Sequence, residues 1–511
     1  MSRNYGDAIA ALNSLQTNFA VIQRSNKTHS RKDMNKTSIS EMVEWIRRIG
    51  YQRSDLNRLN AVHVAGTKGK GSTSSFIASI LSQYASGPSP KVNRVGLYTS
   101  PHLRFARERI GIDNAPLSEE KFAKYFFEVW DRLEQAATAA GEDPKGPLAK
   151  PQYFRYLTLM AFHTYLSEGV NAAVIECGIG GEYDCTNVLE RPAASAIASL
   201  GIDHTALLGD TLEQIAWQKG GVIKPGVKAF SVSQAASAEK VLQKRAEEKA
   251  TQISIVSRHP DLESTDIKLG LAGDFQYTNA MLAVATAAEY LRKVGVEGIP
   301  EDIMSQPLPT EFRRGLELAR LGGRCETRHE KNVTWYIDGG HTLESIKVAG
   351  EWFVSQVKEN SVATETADRK LRLLIFNQQS RDSNALARAL HSTLSAALEA
   401  DMPFTHAIFC TNVTYKEAGY RPDLVSMNTS ATDIERLRVQ NNLAETWKEI
   451  DPRTEVKVYS TIEEAVDYAR ELAAKEQGIV ADEAPLTTFV TGSLHLVGGF
   501  LDVIETKPGP Q

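Results

Sequence analysis

A glycine-rich loop with two lysines is the part of the chain whose residues are best suited to chemistry. The apolar segment Val62–Ala65 predicts a short strand, residues 66–72 are Gly-Thr-Lys-Gly-Lys-Gly-Ser, and residues 74–84 predict a helix. In such a strand–loop–helix unit, glycines let backbone N–H groups converge on an anion, the helix N-terminus adds positive potential, and lysine adds a full charge. The segment therefore predicts a site for the phosphates of a nucleoside triphosphate.

This loop departs from the usual phosphate-binding pattern in two places. That pattern has four residues between its first glycine and the Gly-Lys pair. Counting back from Gly69 gives Val64 at the first position, and Gly71 follows the lysine where Ser or Thr is usual. The segment is then either a variant phosphate loop or a glycine-rich turn with solvated lysines. The flanking strand and helix favour the phosphate loop, because the motif requires them.

Two further polar groups follow predicted strands. Glu176 ends the apolar run 172–175 and precedes several glycines, and His204 follows the apolar strand 195–200. Because the carboxyl ends of parallel strands share one edge of a sheet, both should reach the rim that holds the glycine loop. Glu176 either holds Mg²⁺ near phosphates or caps the turn after it. His204 is a metal ligand, an acid–base group or a structural hydrogen-bonding residue.

A hydroxyl group and three arginines follow the apolar residues 95–98. Ser100, within Thr-Ser-Pro-His at 99–102, can offer its hydroxyl to Mg²⁺. Arg104, Arg107 and Arg109 are close in the chain, and arginines bind carboxylates through forked hydrogen bonds. The alternative for the arginines is an exposed basic loop.

Lysines at 219 and 224 and an Asp-Gly-Gly-His turn at 338–341 complete the set of candidates. On sequence alone, Lys219 and Lys224 are best explained as lysines that complement the dipole at a helix end. Asp338 and His341 open a strand-to-helix turn that mirrors the glycine loop and would suit a cleft between domains. An aspartate there is also a good helix cap.

Composition limits the class of protein. The chain has 511 residues, 42% apolar and 24% charged, and a net charge of −5. This length predicts two or more domains with a large core, and the negative charge argues against a nucleic-acid partner. Four scattered cysteines indicate neither a disulfide framework nor a zinc site. No apolar run is long enough for a membrane span, and the N-terminal residues predict neither a secretory signal nor a mitochondrial transit peptide.

The elements that must position these residues alternate between strand and helix. Predicted strands at 172–177, 194–200, 228–233 and 252–257 are separated by helices at 211–222 and 238–249, after a helix at 151–168. This alternation predicts a parallel sheet covered by helices. After about residue 320 the pattern restarts, with strands at 333–337, 371–377, 406–411, 455–459 and 487–491 and helices at 342–357, 384–399 and 462–476. Glycines at 322 and 323 mark the boundary.

In this order, the segments resemble the folylpolyglutamate synthases of the Mur-ligase superfamily, and most closely the eukaryotic type. The resemblance extends from residues 5–18 to residues 491–500, and its most specific parts are 66–72, 99–103, 175–181, 201–205, 219–225 and 335–342. It implies an α/β fold with an ATP- and folate-binding domain at 1–320 of the P-loop NTPase type. A hinge at 321–325 and a smaller Rossmann-like glutamate-ligase domain at 326–511 would follow.

The resemblance also implies roles for individual residues. Those implied to contact ATP are Thr67, Lys68, Gly69, Lys70, Asn279, Arg324 and Asp338. Those implied to hold one or two Mg²⁺ ions are Ser100, Glu176 and His204. Those implied to act in catalysis are Lys70, His204, Lys219, Asp338 and His341. Lys219 matches a lysine that family members carry as a carbamate, and His341 matches a residue near the incoming glutamate. We add the hypothesis that Arg104 and Arg109 attract a polyanionic substrate tail.

The implied activity is ligation of L-glutamate to the γ-carboxylate of a reduced folate poly-γ-glutamate through an acyl phosphate. ATP and Mg²⁺ are the implied cofactors, and a monovalent cation such as K⁺ is compatible with them. The alternatives are a dihydrofolate synthase, which adds glutamate to dihydropteroate, and a non-catalytic nucleotide-binding module. We expect a cytoplasmic monomer that acts on small molecules, and a mitochondrial form is also compatible.

Two positions depart from the pattern of the family. The usual Pro-Gly-Arg is Gly-Gly-Arg at 322–324, and the usual Asp-Gly-Ala-His is Asp-Gly-Gly-His at 338–341. We expect the additional glycines to loosen both turns slightly without removing a functional side chain.

Overall fold

The computed structural model describes residues 3–25, 31–85, 91–264, 267–361, 371–379, 382–400, 402–417, 419, 422–424, 437–477 and 485–507. The chain forms two compact units. The first comprises Met1–His102 and Ala106–Leu321, and the second comprises Leu103–Phe105 and Gly322–Gln511. The short segment Leu103–Phe105 is therefore inserted from the first part of the chain into the second unit.

The described residues of the first unit contain an eight-stranded sheet in the order β4-β3-β2-β5-β1-β6-β7-β8. Its strands are β1 Val62–Ala65, β2 Val95–Tyr98, β3 Ile110–Ile112, β4 Ala115–Pro116, β5 Ala172–Glu176, β6 Ala194–Ile197, β7 Ala229–Ser231 and β8 Ile253–Ile255. The neighbouring strands β2, β5, β1, β6, β7 and β8 are parallel. Strands β3 and β4 extend the sheet at one edge and pair antiparallel. Strand β1 lies between β5 and β6, so the ends of these three strands meet at the centre of the sheet.

Helices cover both faces of this sheet. They are α1 Tyr5–Ser25, α2 Arg31–Arg48, α3 Lys70–Ser82, α4 Glu119–Ala139, α5 Tyr153–Ser167, α6 Thr205–Leu208, α7 Leu212–Lys219, α8 Ala236–Glu248, α9 Pro260–Glu263, α10 Phe275–Lys293 and α11 Thr310–Leu318. Strand β5 shows why both faces are covered: Ala173 and Ile175 join one apolar core, whereas Ala172 and Val174 join another. Successive side chains of a strand point to opposite faces, so an all-apolar strand requires a helical layer on each side.

In the second unit, the described residues form a six-stranded sheet in the order β13-β12-β11-β14-β10-β9. The strands are β9 Glu326–Glu330, β10 Val333–Asp338, β11 Arg372–Phe376, β12 His406–Cys410, β13 Glu455–Tyr459 and β14 Leu486–Thr491, and only the pairing of β9 with β10 is antiparallel. The helices are α12 Leu343–Ser361, α13 Ser383–Leu398, α14 Arg438–Ile450, α15 Ile462–Gln477 and α16 Leu494–Thr506.

The predicted α/β fold with parallel sheets is confirmed, and the differences concern the ends of predicted elements and several helices that were not predicted, among them α4, α10 and α14. Helix α3 begins at Lys70, earlier than the predicted residue 74, so Lys70 belongs to its first turn. The helix predicted at 211–222 ends at Lys219 and continues as a short 3₁₀ turn, Gly220–Val222. No described helix is both long and apolar enough to cross a membrane.

Candidate functional site

The glycine loop between β1 and α3 has the geometry of an anion-binding turn. Gly69 immediately precedes the helix and has a φ of 81°, a value that favours glycine. The first N–H groups of α3, from Lys70 onward, have no acceptor within the helix and are available to an anion. At the other end of the loop, a Cβ on Gly66 would lie 2.9 Å from Ala198 Cβ, so only glycine allows this close approach of loop and sheet.

Thr67 and Lys68, at the start of the loop, are held by the segment that follows β6. Their backbone N–H groups both donate to the carbonyl of Ser199, at 2.8 and 3.0 Å. The Thr67 hydroxyl donates to the carbonyl of Gly201, and the Lys68 ammonium lies 3.3 Å from Asp203 Oδ2. These groups already have protein partners, so their contact with phosphate stays a prediction, and the loop presents mainly Gly69 and the start of α3.

Lys70, Glu176 and Ser100 converge at the carboxyl end of the sheet. Glu176 is 3% exposed and pairs in register with Val64 of β1. Its Oε1 lies 4.0 Å from Lys70 Nζ, and its Oε2 accepts the Ser100 backbone N–H at 3.1 Å. The structure therefore brings together a lysine, a carboxylate and a hydroxyl-bearing residue that the sequence placed on three separate segments.

His204 lies on the same edge, after β6. It precedes α6 in a left-handed conformation with a φ of 51°, and its side chain is exposed. Its neighbour Asp203 is 8% exposed and pairs with Lys68. The segment after β6 thus carries a buried carboxylate that pairs with the loop lysine and an exposed imidazole.

Lys219 is buried although it is the last residue of α7. Its side chain is 3% exposed, and Nζ donates to the carbonyl of Gly66 at 2.7 Å. Burial, and then the charge of Lys70, lower the pKa of Lys219 from 10.5 to about 7. A large fraction of this amine is therefore neutral near pH 7, unlike the solvated helix-end lysine of the sequence-based interpretation.

A buried polar network lies beneath these residues, and sequence reasoning missed it. His63 Nε2, in β1, is 2.8 Å from Thr186 Oγ1 and 3.1 Å from Cys177 Sγ, and Thr186 Oγ1 donates to Asp184 Oδ1 at 2.6 Å. Burial, with a smaller effect of Lys224, lowers the pKa of His63 to about 3, so its imidazole is neutral. The network joins β1 to the segment after Glu176. The available signal was a histidine inside the apolar strand Val62–Ala65.

Asn279, on α10, lies beside the glycine loop. It is 3% exposed, and a Cβ on Gly69 would be only 2.2 Å from its Oδ1. Its Nδ2 donates to Gln276 Oε1 at 2.9 Å, which fixes the orientation of the amide. Asn279 is therefore placed where it can contact a ligand of the loop.

The two arginines of the substrate hypothesis differ in unit and in partners. Arg104 belongs to the second unit, where its guanidinium pairs with Glu505 and donates to Asp502 Oδ1 at 3.2 Å. Arg109 belongs to the first unit, is 8% exposed, and donates from Nε to His102 Nδ1 at 2.9 Å. They do not form the single basic loop that their spacing suggested, and two carboxylates already engage Arg104.

In the second unit, Asp338 ends β10 as a buried carboxylate. Its Oδ2 accepts the Cys325 N–H at 2.9 Å and its Oδ1 accepts the Gly340 N–H at 2.8 Å. Burial raises the pKa of Asp338, and the charge of Arg324, with these hydrogen bonds, opposes the rise. Arg324 and Asp338 are thus neighbours within the second unit.

His341 follows in the same turn. Its Nδ1 is 2.9 Å from the carbonyl of Gly339, and its N–H donates to Ser345 Oγ at 3.0 Å. The expectation that the additional glycines loosen the turns is not supported. A Cβ on Gly340 would meet the Ser345 carbonyl at 3.0 Å, and one on Gly322 would meet Leu103 Cδ2 at 3.0 Å, so both turns are closely packed.

The donor set of the first unit fits a hard cation bound together with phosphate. No group of three or more His, Cys, Asp and Glu side chains among the described residues is arranged to hold a metal ion. A cation at Glu176 would thus depend on further oxygen ligands. Mg²⁺ characteristically binds one or two protein oxygens and completes its octahedron with water and phosphate. The hydrogen bond between Ser100 N–H and Glu176 places a carboxylate and a hydroxyl-bearing residue together for that purpose.

Known proteins resemble this chain in sequence and in fold. No protein-family model matches the chain. A folylpolyglutamate synthase of Saccharomyces cerevisiae strain YJM789 is 45% identical over 511 residues, covering 99% of this chain and 88% of the yeast protein.

Solved structures show the same fold. The Mycobacterium tuberculosis folylpolyglutamate synthase complexed with ADP and AMPPCP is similar with a TM-score of 0.64 at 22% identity, covering 93% of this chain and 96% of that one. An FPGS–AMPPCP–folate complex is similar with a TM-score of 0.64 at 21% identity, covering 99% of this chain and 100% of that one. At these identities, the two structures support the fold alone.

Proposed function

Because this chain belongs to the folylpolyglutamate synthase family, we propose that it joins L-glutamate to the γ-carboxylate of a reduced folate poly-γ-glutamate through an acyl phosphate. The coarser activity, ATP-dependent ligation of glutamate to folate, is that of the family. The observation that carries the proposal is the meeting of Lys70, Glu176 and Ser100 at the end of the central strands.

A carboxylate is a poor electrophile, so it must be activated before an amine can attack it. The γ-carboxylate oxygen attacks the γ-phosphorus of ATP, and ADP leaves. The glutamate amine then attacks the acyl carbon, phosphate leaves, and the amine loses a proton. Lys70 and the first N–H groups of α3 stabilise the charge on the phosphoryl group as it moves.

Ser100, Glu176 and His204 would hold Mg²⁺ at the phosphates. When bound, Mg²⁺ neutralises negative charge on the phosphates during transfer. Glu176 is suited to this because it is buried and its position is fixed by the Ser100 N–H. A K⁺ ion beside it stays a prediction.

Lys219 would act as an anion after carbamylation. Its amine is buried and has a pKa of about 7, so the neutral form required to attack CO₂ is populated near neutrality. The nitrogen forms a bond to carbon and releases one proton, which leaves a carbamate. We expect activity to fall in CO₂-depleted buffer and to recover with bicarbonate; activity that ignores bicarbonate would contradict the modification.

In the second unit, the residues with proposed roles are Arg324, Asp338 and His341. Arg324 and Asp338 would contact the nucleotide, and His341 would lie near the incoming glutamate. Asn279 and Gly69 would contact the nucleotide from the first unit. We also propose that the enzyme acts as a cytoplasmic monomer, a state that sedimentation of the purified protein would test.

The decisive experiment traces the oxygen atoms of the folate γ-carboxylate into the released phosphate. With tetrahydrofolate diglutamate labelled with ¹⁸O in its γ-carboxylate, one labelled oxygen should appear in the released phosphate. Unlabelled phosphate, with normal amide formation, would exclude the acyl phosphate. ADP release should require both tetrahydrofolate and glutamate, and dihydropteroate as the sole acceptor tests the dihydrofolate synthase alternative. ADP release that is independent of both would overturn the ligase assignment.

A further inference from the structure

Arg109 is a nearly buried cation that has no counter-ion among the residues that the structure describes. It is 8% exposed, and no carboxylate of the described residues lies within 4.0 Å of its guanidinium. Among the described residues, the guanidinium donates from Nε to His102 Nδ1 at 2.9 Å. It also lies over the Tyr153 ring, whose centroid is 5.7 Å from Cζ. Both partners are uncharged in this arrangement, because Nδ1 accepts and the imidazole proton then lies on Nε2.

This environment differs from that of Arg104, an arginine of the second unit. A buried charge is stabilised when it is paired and its donors have acceptors. Arg104 has the first of these, because it pairs with Asp502 and Glu505. Arg109 does not, although its guanidinium carries five N–H donors in a planar fork that matches a carboxylate. It is therefore poised to receive an anion from outside the chain.

The position of Arg109 connects it to the reaction centre. Its carbonyl accepts the Thr99 N–H at 3.1 Å, and Thr99 directly precedes Ser100. Tyr153 is followed by Phe154, whose ring would be 2.4 Å from a Cβ on Gly178, in the turn after Glu176. The backbone of Arg109 and the aromatic segment against its guanidinium therefore adjoin the segments that carry Ser100 and Glu176.

We propose that Arg109 binds a free α-carboxylate of the folate glutamyl tail, with His102 and Tyr153 positioning its guanidinium. This inference rests on the proposed function. Glutamates joined through their γ-carboxylates each retain an α-carboxylate, and in the terminal residue it lies close to the reacting group. A bidentate pair with Arg109 would supply the missing counter-ion and hold the γ-carboxylate towards the phosphate loop.

The test compares Arg109→Lys and Arg109→Ala with the control Arg132→Lys. Arg132 also stacks on a tyrosine, Tyr51 at 5.8 Å, but donates to the carbonyl of Ile49 away from this rim. We expect the Arg109 variants to raise the KM for tetrahydrofolate roughly 10- to 100-fold, the range of a charged hydrogen bond. The KM for ATP should change less than about twofold. The control should leave both unchanged.

A substrate analogue separates binding from folding. Tetrahydropteroyl-γ-aminobutyrate retains the reacting carboxylate but lacks the α-carboxylate. The wild-type enzyme should use it with a raised KM, and Arg109→Lys should raise that KM no further. An equal loss with both acceptors, or equal changes in the folate and ATP KM, would overturn the inference.

His102 provides a positioning test. His102→Asn keeps an acceptor for Arg109 Nε and should retain the folate KM, whereas His102→Leu should raise the folate KM. The same folate KM in both variants would show that His102 does not position Arg109. A wild-type enzyme without folate-dependent ADP release would overturn the proposed function and this inference with it. An active enzyme whose Arg109→Lys variant keeps the wild-type folate KM would overturn this inference alone.

Discussion

In the first unit, strand β1 leads through a glycine loop into a helix that begins at Lys70. In the second unit, strand β10 ends at a buried aspartate, and two glycines follow it before α12. Both turns connect a parallel strand to a helix at the carboxyl end of a sheet. The groups that the two turns carry differ. The first presents lysines and unpaired helix N–H groups, whereas the second presents a carboxylate beside Arg324.

The difference shows that the topology supplies a position and that local hydrogen bonding decides what binds there. In the first turn, the donors at the start of α3 remain available to an anion. In the second, the N–H groups of Cys325 and Gly340 are already bound to Asp338. A phosphate at the first turn would therefore meet backbone donors together with Lys70, whereas a ligand at the second turn would meet mainly side chains.

The largest effect should follow loss of the Lys70 charge. Lys70→Ala removes the cation 4.0 Å from Glu176 and should reduce kcat for glutamate-dependent ADP release by about 10³-fold. Lys70→Arg, which keeps the charge, should lose less. Equal activity of the alanine and wild-type enzymes would show that the backbone alone handles the phosphate.

The second effect concerns stability. Burial lowers the pKa of Lys219 from 10.5 to about 7, so between these values the unfolded chain holds a proton that the folded protein has released. The free energy of unfolding therefore decreases as pH falls from 10.5 to about 7. Below about pH 7 this penalty stays constant.

Lys219→Met should remove this penalty in CO₂-depleted buffer. The gain in the free energy of unfolding should be on the order of a few kcal/mol at pH 7 and should shrink as pH rises towards 10. Urea midpoints across that range measure it. A gain that does not depend on pH would mean that Lys219 is not desolvated.

Asp338→Asn probes the second turn. An asparagine can accept only one of the N–H groups of Cys325 and Gly340 and sets an amide N–H against the other. We expect kcat to fall by about 10²-fold, equivalent to about 3 kcal/mol. The control is Asp382→Asn, at an aspartate that only caps α13 by accepting the Ala385 N–H at 3.0 Å. Equal losses of kcat in both variants would mean that Asp338 acts only as a cap for backbone N–H groups.

The smallest effects should come from alanine at one glycine in each turn. At Gly69 a Cβ would conflict with Asn279 Oδ1 and with a φ of 81°, which should raise the KM for ATP about tenfold. At Gly339 a Cβ would lie 2.3 Å from Leu494 Cδ2, which should lower stability by about 1–3 kcal/mol, measured by urea midpoint. A higher ATP KM for Gly339→Ala than for Gly69→Ala would reverse the assignment of the phosphate site.

Sequence reasoning performed best where periodicity was strong and worst where the outcome depended on contacts. The strands around Glu176 and Asp338 were placed within a residue or two. The long helices α4 Glu119–Ala139, α10 Phe275–Lys293 and α14 Arg438–Ile450 were not assigned. Helix α10 had no helix assignment although Asn279 lies on it, because its apolar residues face a buried layer on several sides and give a weak amphipathic signal.

The sequence by itself determined the α/β class, most of the central strands and the glycine loop with its lysines, because these depend on residues close together in the chain. Only the tertiary structure decided that Lys219 is buried against Gly66, that Arg104 pairs with carboxylates and that Arg109 pairs with none of those in the described part of the chain. Desolvation and charge pairing depend on residues up to hundreds of positions apart. The charge state and partners of a side chain therefore exist only once the chain has folded.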